Sequence, residues 1–291
     1  MRVACLMMQK NEQSLLDQWI SHHGEMFGYS SLYVFDNGSH FPETLDLLIK
    51  SEKKGANIIR KYNTAADFEK KGDIFGDLIK SFSKFEMYDI YIPLDADEFL
   101  GLHKHENNIS FVRDDIFAEL EKHIDPEYVP FIYGSFYNIP SSRSFYFRQE
   151  RKCFFGRKNF GSLDIGFHWG KASNPNFTEF RTQIDHVHFQ NKPFILQKYH
   201  AAEKLKKRVS SFDPLYLKTY TGPGAHLARY FFISEQEYLD EFKKVGEICN
   251  LPNLERQLEK LGVPFPYENI YNMNAVTDDL NKVIDDICNN R

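Results

Sequence analysis

The stretch YIPLDADEFL, residues 91–100, ends an apolar run in three carboxylates, Asp95, Asp97 and Glu98. Like charges repel and lose hydration near a core, so such a cluster needs either water or a cation. Asp95 and Asp97 stand two residues apart, and on an extended segment both side chains would point the same way and converge. Hard oxygen donors so arranged suit Mg2+ or Mn2+, ions that keep positions open for a substrate's phosphates. A solvated turn is the competing explanation, because Asp-x-Asp triplets also arise by chance. Position favours the ion, since the cluster terminates the fourth expected strand of an α/β pattern.

Histidines and lysines further along could complete such a site. His168 lies in GFHWG, and His186 and His188 lie in DHVHFQ at the i, i+2 spacing of one strand face. A neutral imidazole can complete a carboxylate site for manganese; two histidines on one face can equally be hydrogen-bonded core residues. Lys192, Lys198, Lys204, Lys206, Lys207 and Arg208 crowd the next segment. They could steady a departing phosphate, although a solvated helix face accounts for most of them. His22 and His23 fall within a helical pattern and read as surface or packing residues.

The elements that must hold these groups alternate over the first hundred residues. VACLMM (3–8), SLYVFD (31–36), ANIIRKY (56–62) and YDIYIPLD (88–95) read as strands; 11–28, the region near 42–54 and 73–87 carry apolar residues at helical spacing. Strand-helix alternation with short links predicts parallel strands covered by helices, with ligands beyond the carboxyl ends of the strands. The middle, from FIYGSFYNIP through DHVHFQ, is aromatic and β-branched and predicts mixed or antiparallel strands. Residues 201–230 look loop-like and basic, and from about 234 the pattern is helical, with breaks at Pro252 and VPFP. The expected fold class is therefore α/β, with a mixed sheet flanked by helices and a helical C-terminal tail. The main domain is expected at 1–230, divided near residue 100, and the extension at 231–291.

Composition narrows the partners. The 291 residues are 42% hydrophobic and 15% aromatic, enough for a large core, and the 27 Phe and 16 Tyr also suit pockets for rings. A net charge of -5 and a pI near 6.1 argue against a nucleic-acid binder. Cys5, Cys153, Cys249 and Cys288 are dispersed without a Cys-x-x-Cys pair, which fits free thiols in a reducing compartment. No segment approaches the length of a membrane span or a signal sequence. The expected location is cytoplasmic, with peripheral contact at the inner face of the membrane left open.

The segment MMQKNEQSLLDQWISHHGEMFGYSSLYVFDNGS, followed by YIPLDADEFL, resembles the start of glycosyltransferase family 2-like enzymes, in the branch with a KNE…W…HH…G…DNGS…DxDEF order. The resemblance covers the first hundred residues well and continues more loosely through GFHWG and HFQNKP. It implies a GT-A, Rossmann-like fold, a nucleotide-diphosphate sugar donor (a UDP-sugar first) and a divalent metal, Mn2+ or Mg2+. It further implies that Asp97 ligates the metal and that Asp95 touches the ribose or reaches the metal through water. His188 is the resembling downstream metal ligand, and Lys192 the first candidate for the phosphates. Asp36, at the end of the second strand, matches the acid that hydrogen-bonds the base. A carboxylate suits an imide N–H, while an Asp before Asn-Gly is also a common turn former. Asn11 and Glu12 follow the first strand, where the nucleotide lies; helix capping is the favoured alternative for them.

Sugar transfer needs a stabilised leaving diphosphate, and an inverting enzyme needs a general base. Asp164 and Asp185 are the candidates, with Glu98 better suited to orienting ligands. The expected function is a metal-dependent, inverting glycosyltransferase acting on a saccharide or glycolipid acceptor in surface glycan synthesis, lipopolysaccharide or capsule. Two alternatives differ in class. A nucleotidyltransferase would show a glycine-rich phosphate loop, which MMQKNE lacks; a non-catalytic carbohydrate-binding protein would rely on the aromatic surplus alone.

Overall fold

A computed structural model describes residues 1–105, 108–140, 142–267 and 273–289. The first strand, β1 (Val3–Gln9), is buried along its whole length, as expected for the centre of a parallel sheet covered on both faces. The helix α1 (Leu16–Phe27) follows, then β2 (Leu32–Asp36), α2 (Pro42–Lys53), β3 (Asn57–Ile59), the short α3 (Ala65–Glu69), α4 (Lys71–Lys84) and β4 (Ile90–Pro93). β1 pairs in parallel with both β2 and β4, and β2 in parallel with β3. Gln9 lies opposite Asp36 in this register, so the carboxyl ends of β1 and β2 come out side by side. The opening alternation is thus as the periodicity predicts.

α1 starts at Leu16 rather than Asn11, and the backbone gives the reason. Asn11 has φ 54, the left-handed region, which a continuing helix cannot contain. Its carboxamide oxygen accepts from the N–H groups of His40 and Phe41, and its own N–H donates to Ser39 Oγ. Asn11 therefore ties the loop after β1 to the loop after β2. Within α1, Leu16, Trp19, Ile20 and His23 fall on one buried face at helical spacing. His22 and His23 are wholly buried, so of the two readings open to them it is packing that holds. His22 Nε2 bonds the Leu100 carbonyl, and His23 Nε2 receives the Leu100 N–H.

A second, larger sheet follows. Its strands are β5 (Glu98–His105), β6 (Asn108–Ser110), β7 (Tyr128–Asn138) and β8 (Ser144–Cys153), with α5 (Arg113–Leu120) between β6 and β7. Three short strands come next: β9 (Phe155–Gly156), which returns to pair antiparallel with β4, and β10 (Phe160–Leu163) and β11 (Gly170–Ala172), which pair with each other. β12 (Thr178–Arg181) and β13 (Ile184–His188) both run parallel to β7, and β13 is antiparallel to β5. The chain closes with α6 (Phe194–Leu205), α7 (Pro214–Thr219), α8 (Ala225–Ala228), α9 (Glu235–Glu241), β14 (Ile248–Asn250), α10 (Pro252–Leu261) and α11 (Met273–Asn289). The result is a mixed α/β architecture: one mostly parallel sheet, one mixed sheet, and flanking helices.

Two parts of this second half differ from the sequence pattern. Residues 201–230 carry the end of α6 together with α7 and α8, whose Leu205, Leu217 and Ala228 pack with Phe231 and Leu280 into a separate small core. Basic side chains on the outer face masked the helical apolar face there. In the C-terminal segment, β14 pairs with β8, and Leu254 and Leu258 of α10 join the same core as Trp19 of α1.

Buried neutral histidines make stability depend on acid. Burial lowers the His22 pKa to about 4 and takes His23 well below its ordinary value. Unfolded histidine takes up a proton near 6.5, so below that pH the unfolded chain binds protons that the folded chain refuses. The contribution of this pair to the unfolding free energy is therefore expected to be constant above about pH 7 and to fall as pH drops from about 6.5 toward 4. Equal midpoints at pH 7 and pH 5 would contradict the role given to this pair.

Candidate functional site

The acidic cluster lies where the parallel sheet passes into the second sheet. β4 ends at Pro93 and β5 begins at Glu98, and the Glu98 N–H closes a tight turn on the Asp95 carbonyl at 3.1 Å. Asp95 and Asp97 are thus on a turn, not on an extended segment, and their carboxylates meet different partners. This corrects the geometry read from their spacing. A two-residue offset places side chains on one side only in a strand.

Asp95 is committed to cations of the protein itself. Its Oδ1 lies 2.5 Å from Lys71 Nζ at the start of α4, and its Oδ2 lies 2.6 Å from Lys152 Nζ on β8. Burial alone would raise the Asp95 pKa, but the Lys152 and Lys71 ammonium groups outweigh it and hold the carboxyl below its ordinary range. Lys152 is 2% exposed; it also reaches Glu98 Oε1 at 2.8 Å and donates to the Gly166 carbonyl at 2.9 Å. Both ammonium groups lie over the ring of Phe167, Lys71 at 4.4 Å and Lys152 at 5.4 Å from its centroid. Gly72 permits this crowding, because a Cβ there would stand 2.6 Å from the Leu163 carbonyl oxygen.

Asp97 faces the other way. His188 Nε2 stands 3.5 Å from its Oδ1 and Lys192 Nζ 3.9 Å from its Oδ2. Burial would raise its pKa, yet His188 and Lys192 drive it well below the carboxylate range. Burial would likewise push His188 down, but Asp97 and then Glu150 and Glu98 lift it to about 10. Lys192 also lies 3.9 Å from Glu12 Oε2 and 3.4 Å from the Tyr267 hydroxyl. Lys204, on α6, has its pKa lowered by its surroundings and by Lys192, while Asp97 and Asp95 pull the other way. Lys192, by contrast, has its pKa raised despite burial, through Tyr267, Glu12 and Asp97.

The strand period decides where the remaining candidates go. His186 and His188 share one face of β13, with His188 in register opposite Glu98. Asp185, one residue earlier, points to the opposite face, where it accepts from the Gly134 N–H at 3.0 Å and pairs with His103 Nδ1 at 3.0 Å. Gly134 is required there, since a Cβ would come within 2.4 Å of that carboxylate. Asp164 lies in the exposed turn before β11, where its Oδ1 accepts from the Trp169 N–H. That turn adjoins the site through Gly166. His168 Nδ1 is engaged with the Arg151 carbonyl. Asp36 Oδ1 accepts from Gln9 Nε2 and from the Ser39 N–H, so the acid has the turn role that its place before Asn-Gly allows. Glu12 accepts from the Ser14 N–H and does not cap α1, whose N-cap residue is Leu15.

Three participants escaped the sequence reading: Lys71, Lys152 and Glu150. Glu150 Oε2 stands 2.9 Å from His188 Nδ1 and accepts from the Tyr137 hydroxyl. No local motif marks any of them. Tyr267, held at φ 65, also covers Lys192 and separates two cavities. One, of about 200 Å³, is lined by Asp17, Glu43, Asp46 and Lys50; the other, of about 290 Å³, by Asn138, Arg143, Phe189 and Phe265. Neither is lined by Asp95 or Asp97.

No family model matches the chain, and no curated protein matches it. Among solved structures, a crystal structure of S. aureus TarS aligns with a TM-score of 0.39 and 11% identity, covering 79% of this chain and 42% of that one. A structure of S. aureus TarS 1–349 aligns with a TM-score of 0.36 and 8% identity, covering 98% of this chain and 81% of that one. Likeness at these levels carries no functional argument, which rests on the site itself. Among the described residues no helix is long and apolar enough to cross a membrane.

The Lys152 pairing is directly testable. Removing one partner of a buried charge cluster leaves uncompensated charge and typically costs about 3–5 kcal/mol. Lys152→Met is expected to lose stability of that order in urea unfolding, and adding Glu98→Gln to recover part of it. A Lys152→Met chain as stable as the parent would show that the ammonium does not neutralise these acids.

Proposed function

We propose that the chain is a metal-dependent, inverting glycosyltransferase. It takes a sugar from a nucleotide-diphosphate donor, a UDP-sugar first, and gives it to a hydroxyl of a saccharide or glycolipid acceptor. The setting proposed is the synthesis of surface glycan, lipopolysaccharide or capsule, on the cytoplasmic side with contact at the inner face of the membrane. One juxtaposition supports the reading. Beyond the carboxyl ends of parallel strands, a carboxylate able to share a hard cation, Asp97, stands 3.9 Å from Lys192, a cation able to take phosphate oxygens.

The reaction breaks the bond between the anomeric carbon and the diphosphate oxygen and forms one to the acceptor oxygen, whose proton passes to a base. Negative charge grows on the departing diphosphate, so Lys192 acts most strongly at the transition state. A divalent ion, Mn2+ or Mg2+, bound at Asp97 would add Lewis-acid stabilisation of the same charge. Asp95, held by Lys71 and Lys152, keeps those two ammonium groups at the edge of the site in place of contacting the ion. Asp36 would meet the base through Oδ2, since Oδ1 is used by the turn. Asn11 orders the neighbouring loop. Of the two candidate bases, Asp164 is the one to retain, because it lies on an open turn adjoining the site, whereas Asp185 is turned to the other face. The cavity of about 290 Å³, with Phe265 beside Asn138 and Arg143, offers an aromatic and polar seat for the acceptor.

Calorimetry with UDP tests this. Binding is expected in Mn2+, at least tenfold weaker after the metal is chelated, with the metal-dependent part lost in Asp97→Asn. Lys192→Ala should lower kcat for transfer roughly hundredfold, as removal of a charge-stabilising donor does elsewhere. A chain that binds no nucleoside diphosphate in a metal-dependent way is not this enzyme.

A further inference from the structure

Behind the turn, on the buried side of His188, lies a second group of donors. Glu98 of β5, Glu150 of β8, and His186 and His188 of β13 offer one ligand atom each, all within 4.8 Å of one another. The sheet register brings them together. His188 is the cross-strand partner of Glu98, His186 precedes it on the same face, and the small Ser135 of β7 stands beside His186, between β13 and β8.

His186 is the unexplained member. It is 0% exposed, and neither ring nitrogen has a hydrogen-bond partner. Its Nε2 stands 3.6 Å from Glu98 Oε1 and 3.9 Å from Glu150 Oε2. An unpartnered buried polar group is costly, and buried carboxylates beside it normally demand a cation. Lys152 supplies one to Glu98, but it is shared with Asp95 and the Gly166 carbonyl, and it offers no acceptor to His186.

We infer that Glu98, Glu150, His186 and His188 form a seat for one divalent first-row transition ion of the zinc class, distinct from the phosphate-bound ion proposed at Asp97. Ligand atoms about 2.1 Å from a tetrahedral ion lie roughly 3.4 Å from each other. The four histidine–carboxylate separations, 2.9, 3.6, 3.9 and 4.0 Å, bracket that value, and all six pairwise separations lie within 4.8 Å. Two imidazoles and two carboxylates are the borderline donor set that zinc accepts; with an ion bound, Lys152 keeps Asp95 as its partner and the two glutamates carry the charge that balances the ion. Outer partners are present as well. Glu98 Oε2 accepts from the Asp95 N–H, Glu150 from the Tyr137 hydroxyl, and His188 Nε2 faces Asp97. With His188 bound through Nδ1, Nε2 carries the proton toward Asp97, so Asp97 orients this ligand while its other oxygen looks toward Lys192. The Glu150 side chain, 19% exposed, leaves an entry path.

The test needs no nucleotide and no assay of transfer. The full chain, stripped with a chelator and dialysed, is titrated with Zn2+ and, separately, with Co2+. One Zn2+ per chain is expected, with strong visible absorption from four-coordinate Co2+. His186→Gln should weaken Zn2+ binding at least tenfold, while Lys192→Ala, on the phosphate side, keeps a stoichiometry of one. In case His186→Gln does not fold, the parent chain supplies a second measurement. Zn2+ at a hundredfold excess over its Kd should raise Tm by about 5 °C, and the same concentration of Mg2+ should not. No bound Zn2+, binding that appears only with UDP, a His186→Gln chain as tight as the parent, or equal Tm shifts for both ions would each overturn the inference. A chain that takes Zn2+ here and ignores UDP would keep this site and lose the glycosyltransferase reading.

Discussion

The Lys152 ammonium, placed within 3 Å of both Asp95 and Glu98, joins the parallel sheet to the mixed one at the point where the chain crosses between them. Bringing these charges out of water costs several kcal/mol for each, and only close pairing with further hydrogen bonds offsets it. The junction meets that requirement. Lys71 takes the second Asp95 oxygen, the Gly166 carbonyl takes a proton of Lys152, and the Asp95 N–H takes the second Glu98 oxygen. Because the turn is pinned on this side, Asp97 must project on the other.

That division gives the two aspartates unlike chemistry. Asp95 is an anchor whose charge is spent on lysines, and Asp97 is the acid left facing His188 and Lys192. On the proposed function a substrate phosphate and a hard cation would both be received there, with Tyr267 covering Lys192 from the direction of the C-terminal segment. The helix α6 thereby ties its own small core to the site, so ordering of the late part of the chain and completion of the cation side are physically coupled.

The strand period of two governs the rest. It sends His186 and His188 toward Glu98 and Glu150 and sends Asp185 away to His103 and Gly134. Two histidines with different partners result. His188 is held between Asp97 and Glu150 on its two ring nitrogens, and His186 is buried beside Glu98 and Glu150 with no hydrogen bond to either ring nitrogen. An imidazole in that position has a chemical use only if something enters to meet it.

Much of the first half was legible in the sequence because its signals are local. Apolar runs, helical spacing and turn residues placed four strands and the principal helices between them, and the acids at residues 95–98 were seen to fall at a strand end. The spacing of His186 and His188 likewise showed that they share a face. What the sequence could not state is which groups pair across distance. Lys71 and Lys152 lie 24 and 57 residues from Asp95, and Glu150 lies 38 from His188. The turn that parts Asp95 from Asp97, the strand that residues 248–250 add to the sheet, and the helical core hidden under the basic segment depend in the same way on contacts between remote segments. Backbone periodicity is written residue by residue, so sequence alone determined the order of the early elements and the presence of an acidic strand end. Charge neutralisation needs two surfaces brought together, so only the tertiary structure decided which carboxylate is paired with lysines and which faces a histidine.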